Sequence, residues 1–117
     1  MDNTIKDKSF YFSVRIVKLC RFLREMKKEN IMTKQLLRCG TSIGANVAEA
    51  QYGSSRKDFL NKLYIALKEC AETLYWLELL SECGYLSTPE YHSLLTDCEE
   101  LRKILSSITK STRDSIL

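Results

Sequence analysis

Proline occurs once and glycine four times in 117 residues, too rarely for a loop-rich or all-β chain, whose turns draw on both. No apolar run approaches the roughly 20 residues that span a bilayer, and no secretory hydrophobic segment follows the polar start MDNTIKDK. The chain therefore reads as cytoplasmic, with no membrane partner. Histidine occurs once, as His92, with Pro89 three residues before it. The Glu-x-x-His pairs of a metal-binding bundle are missing, so neither a metal nor another cofactor is expected. A Cys/His or Ser/His nucleophile would depend on that same histidine, just after a helix start. Gly40, Gly44 and Gly53 match no phosphate-cradling or dinucleotide spacing. The five cysteines, Cys20, Cys39, Cys70, Cys83 and Cys98, are odd in number and contain no CxxC pair. They fit neither a disulfide framework nor a zinc site and read as reduced, small hydrophobic side chains.

What remains is helical periodicity. Phe12, Ile16, Leu19, Leu23 and Met26 step by four and three along a helix expected over 4–28, with Val14 and Val17 widening its apolar face. A second helix is expected over 33–52, with Thr33 as its N-cap and Leu36, Leu37, Ile43 and Val47 as bulky contacts. Gly53-Ser54-Ser55 breaks the chain, and Ser55 with Asp58 resembles a capping box. The third helix, 55–83, carries Leu60, Leu63, Leu67, Cys70, Leu74 and Leu77. Its second apolar surface, Ile65, Tyr75, Trp76 and Leu80, suggests a helix packed on more than one side. Gly84 suits a helix stop, and Ser87-Thr88-Pro89-Glu90 opens a fourth helix over 88–109, seamed by Tyr91, Leu94, Cys98, Leu101, Leu105 and Ile108. The polar tail 110–117 is expected to fray. Four helices joined by short turns make one domain, 1–117, an all-α up-down-up-down antiparallel bundle.

The densest signal lies in the second helix. Gly40, Gly44 and Ala48 fall four residues apart and form a ridge almost without side chains, against which another helix can pack closely. A kink or late start near Thr41-Ser42 is the alternative use of the glycines. Ser42, Asn46 and Glu49 form a polar stripe beside the ridge, expected to bond to another helix or another subunit. A structural network suits them better than catalysis, since Glu49 lacks a second carboxylate partner.

The run QLLRCGTSIGANVAEAQ, followed by DFLNKLYIALKECAETLYWLELL, resembles the bacterial intervening-sequence proteins of 23S rRNA genes, also called the S23 ribosomal protein family. That family is in turn similar to the accessory variability determinant of diversity-generating retroelements. The resemblance implies a four-helix bundle that assembles as a homopentamer and binds RNA or DNA, a reverse-transcriptase-like protein, or both. Gly40, Ser42, Gly44, Asn46, Ala48 and Glu49 are then candidates for helix packing or a subunit interface.

Charge is unevenly divided. Residues 1–28 hold eight Lys/Arg against three acids, whereas residues 69–100 hold eight acids and no Lys or Arg. Arg15, Lys18, Arg21 and Arg24 are the candidate phosphate contacts. They also suit the acidic helices of a second copy, or a plain solvated face. Glu69 and Glu72 read as exposed. The six tyrosines offer stacking surfaces for bases, although core or interface packing is their commoner use.

Overall fold

The computed structural model describes residues 3–116. They form α1 (Asn3–Met26), α2 (Met32–Ala50), α3 (Arg56–Glu82) and α4 (Thr88–Ile116), with no strand among the described residues. Consecutive helices pack along their lengths, α4 returns to touch α1 more thinly, and the backbones of the diagonal pairs α1/α3 and α2/α4 stay more than 8 Å apart between Cα atoms. The result is an antiparallel four-helix bundle about 48 Å long and 21 Å across.

The leucine and isoleucine seams enter the core as their spacing requires. Ile16, Leu23, Leu36, Ile43, Leu63, Leu77, Leu94, Leu101 and Leu105 are fully or almost fully buried. The α3 seam is rotated relative to the expected heptad: Ala66, Thr73 and Leu80 are buried, while Leu67 and Leu74 pack at its edge. Four expected core positions lie outside. Met26 is 69% exposed at the last position of α1, Val17 sits on the outer side of that helix, and Tyr75 and Ile65 face away from the core. The second apolar surface of α3 is therefore split: Leu80 is buried and Trp76 packs on the core, while Ile65 and Tyr75 are exposed.

The glycine ridge is used within the chain. A Cβ on Gly40 would lie 2.9 Å from both Cγ atoms of Ile16, and one on Gly44 would lie 3.0 Å from the Ser9 carbonyl oxygen. α2 stays helical through both positions, so close approach to α1, not a kink, is their purpose. Gly40→Val is expected to destabilise the fold by about 1–3 kcal/mol in urea unfolding, because Ile16 is buried and cannot swing aside.

Helix ends hold one surprise. Ser55 accepts from the Asp58 amide at 3.1 Å and Ser87 from the Glu90 amide at 3.3 Å, as the sequence suggests. Gly84 takes φ +84, and the Tyr85 amide reaches back to the Leu80 carbonyl at 2.9 Å. Thr33, however, is not an N-cap. It lies inside α2, and Glu29 closes that end instead. Its carboxylate accepts from the amides of Ile31, Met32 and Thr33 at 3.1, 2.9 and 2.8 Å and from the Thr33 hydroxyl at 2.7 Å. The chain reaches this geometry through Lys28 at φ +55, which ends α1 two residues earlier than its charge pattern suggested. At the other terminus α4 does not fray at 110 but continues to Ile116. Thr109 is buried, and half-buried Thr112 lies beside Ala50 and Phe59, giving the extra turns something to pack on.

Burial alone would raise the Glu29 carboxyl, but the amides of Met32, Thr33 and Ile31 and the Thr33 hydroxyl hold it below its ordinary 4.5. A carboxyl lowered on folding stabilises above its unfolded value and loses that contribution as pH falls through the folded one. Glu29→Ala should therefore cost about 1–2 kcal/mol at neutral pH. Urea unfolding across pH should show the gap between variant and parent closing below 4.5.

Candidate functional site

The ridge of α2 separates as it descends. Gly40 is sealed under Ile16, Gly44 lies against Ser9 and Ser13, and Ala48 is exposed. Where the ridge opens, Thr41, Gly44, Ala45 and Ala48 floor a groove of about 400 Å³ whose wall is Phe10 and Tyr11 of α1. These two rings meet edge to face, 5.8 Å apart, and are 63% and 66% exposed. Adjacent large aromatics at that exposure are the most conspicuous apolar surface on α1. The signal was present in the run Phe10-Tyr11-Phe12, in which only Phe12 falls on the seam.

The polar stripe makes bonds within the chain. Ser42 donates to the Arg38 carbonyl at 2.6 Å, and Asn46 Nδ2 donates to the Ser42 carbonyl at 2.8 Å. Both bonds stay on α2, contrary to the expected link to another helix. Glu49 does reach across, pairing with Lys62 of α3 at 3.2 Å, but is well exposed. Higher on the same seam, Arg38 bridges Glu69 at 3.4 Å and Glu72, and Glu72 also accepts from Trp76 Nε1 at 3.1 Å. The Arg38 guanidinium and the indole hold the Glu72 carboxyl below its usual range. Glu69 and Glu72 are thus half-buried and paired rather than simply exposed.

The four cations of α1 do not share a face. Steps of three residues fall about 60° short of a helical turn, so the series winds around α1. Arg15 turns to α4, where it donates to Asp97 at 2.7 Å and to the Ser93 carbonyl at 3.5 Å. Arg21 and Arg24 line a shallow groove on the α2 side with Val17 and Leu37. Lys18, Arg21 and Arg24 are exposed and make no ion pair among the described residues. Lys8, outside the candidate set, pairs with Glu100 of α4 at 2.9 Å.

Four thiols are buried and Cys83 is exposed at the α3–α4 turn, so one cysteine lies outside the expected core. Burial pushes the Cys20 and Cys39 thiols up to about 11, away from the reactive thiolate. No group of His, Cys, Asp or Glu among the described residues is arranged to hold a metal. None of the described helices is long and apolar enough to cross a membrane.

A comparison with curated proteins finds no match. Among solved structures, the chain is similar to a protein of unknown function from the S23 ribosomal protein family of Bacteroides thetaiotaomicron. The two share 55% identity over 93% of this chain and 97% of that one, with a TM-score of 0.92. The family model described as 23S rRNA-intervening sequence protein matches residues 1–107, and the chain belongs to that family.

Proposed function

We propose that this protein is a non-enzymatic, self-associating interaction module, with nucleic acid as the partner suited to its free cations. The observation that carries the reading is the α1 surface, where Phe10 and Tyr11 stand exposed beside an apolar groove. Apolar surface of this kind on a small bundle favours burial against another macromolecule. Five copies is the number suggested by the family resemblance. The internal bonding of Asn46 and the pairing of Glu49 with Lys62 favour structural over catalytic roles for both. Free thiols fit residence in the reducing cytoplasm.

Light scattering on the purified chain should return a fixed multiple of 13.6 kDa, with Phe10→Asp shifting the population toward single chains. A parent protein that stays monomeric at high micromolar concentration would overturn self-association.

Lys18, Arg21 and Arg24, exposed and without an ion pair among the described residues, support phosphate contact, while a sequence pI of 8.6 keeps the expected affinity modest. Binding of labelled single-stranded RNA and DNA should weaken about ten- to fiftyfold between 50 and 200 mM salt, as three neutralised phosphates require. An absence of binding at low salt would remove nucleic acid and leave self-association standing. The second reading, a protein adaptor without nucleic-acid contact, is favoured by the breadth of apolar exposure on α1 and would then take its place.

A further inference from the structure

Two outward stripes of this molecule match each other. On α1, Phe10, Val17, Arg21 and Arg24 follow steps of seven, four and three; on α3, Tyr64, Ala71, Tyr75 and Glu78 follow the same steps. All eight residues are exposed. Read upward along these parallel helices, each stripe begins apolar and ends charged, in Arg24 on one and Glu78 on the other. Beyond them, Lys27 and Lys28 top the first stripe, and Glu82 the second. Glu78 and Glu82 make no ion pair among the described residues.

The stripes also stand at the same height. Gly44 of α2 is level with Ser9 and Ser13 of α1. Across the α2–α3 seam, Glu49 is level with Lys62, and Arg38 with Glu69 and Glu72. Gly44 lies between Arg38 and Glu49, so interpolation puts Phe10 and Tyr64 level to within about one helical turn. Because the backbones of α1 and α3 stay apart, they occupy opposite corners and their outer stripes face opposite ways.

We infer that the α1 stripe of one copy docks on the α3 stripe of the next, Phe10 by Tyr64 and Arg24 by Glu78, with all copies pointing the same way. The occupant is a second copy because the chain carries both complements, apolar against apolar and basic against acidic. The two faces differ, so the contact is head-to-tail, and stripes level to within about one helical turn keep the axial rise small. Such a contact closes into a ring where the turn between successive copies divides a full circle and otherwise extends as a filament, and the concentration dependence of the mass tells the two apart. The groove beside Phe10 leaves room for the neighbour's Tyr64 ring, and Arg21 comes opposite Tyr75, whose face suits a guanidinium.

This inference rests on self-association, and charge reversal separates the two. Arg24→Glu and Glu78→Lys should each weaken assembly about tenfold or more without changing the far-UV circular dichroism. The Arg24→Glu/Glu78→Lys double variant should restore the parent mass by sedimentation velocity, and that mass should not grow with concentration. If the parent assembles but neither single variant weakens it, or the double variant fails to recover, the seam is wrong while self-association stands. If Arg24→Glu abolishes RNA binding and leaves the mass unchanged, Arg24 serves phosphate and the seam is likewise overturned. A monomeric parent removes both.

Discussion

The close approach of α1 to α2 governs the rest of the surface. Gly40 and Gly44 leave no room for a Cβ, so α1 is drawn onto α2 with Ile16 and Ser9 in direct contact. Its opposite side gains less. The α1–α4 seam is thin and bridged by Lys8–Glu100 and Arg15–Asp97, pairs exposed enough to contribute at most about 1 kcal/mol each. Tyr11, next to the helix's deepest contacts, is left between two grooves, one against α2 and one against α4. A helix anchored on one edge thus leaves its outer aromatics exposed, and this is how a packing detail shapes the surface on which the proposed association rests.

Polar groups reinforce that view. None of the buried side-chain nitrogens and oxygens among the described residues lacks a partner. The stripe that might have served a ligand, Ser42, Asn46 and Glu49, is used by helix carbonyls and Lys62. The exposed apolar residues of α1 and α3 are the surfaces on which the proposed self-association rests.

Most of the fold could be read from the sequence because its seams follow helical spacing and its stops use residues with one conformational meaning, such as Gly84. The misses have specific physical causes. Glu29 caps α2 from before its first turn, through a left-handed Lys28, whereas local rules look for a short polar residue at the boundary itself; Thr33 satisfied that rule and lies inside the helix. The tail of α4 reads as polar but borrows stability from Ala50 and Phe59 across the bundle. The candidate site was only half legible. The small-residue ridge was plain, yet which part is sealed and which opens depends on where Phe10 and Tyr11 lie. The four cations looked like one stripe because the residue spacing was regular; three-residue steps rotate, and Arg15 ends on α4.

That rotation changes the meaning of the charge blocks. Of the eight acids between 69 and 100, Asp97 and Glu100 are engaged by α1, Glu69 and Glu72 by Arg38, and Glu99 by Arg102. The remainder, without an ion pair among the described residues, is Glu78, Glu82 and Glu90, near one end of the bundle. There the α3–α4 side also pushes up the Tyr91 hydroxyl, first through burial and then through Glu78 and Glu82. Arg21 and Arg24 are left over at the same end, on the α1–α2 side. In the proposed assembly, a residual dipole across the molecule, with its poles near one height, would resist axial sliding between copies, because a shift loses charge pairing and apolar contact together. Long-range attraction between the poles is screened over about 8–10 Å, so it orients the approach. The aromatic stripe below must supply the contact that holds.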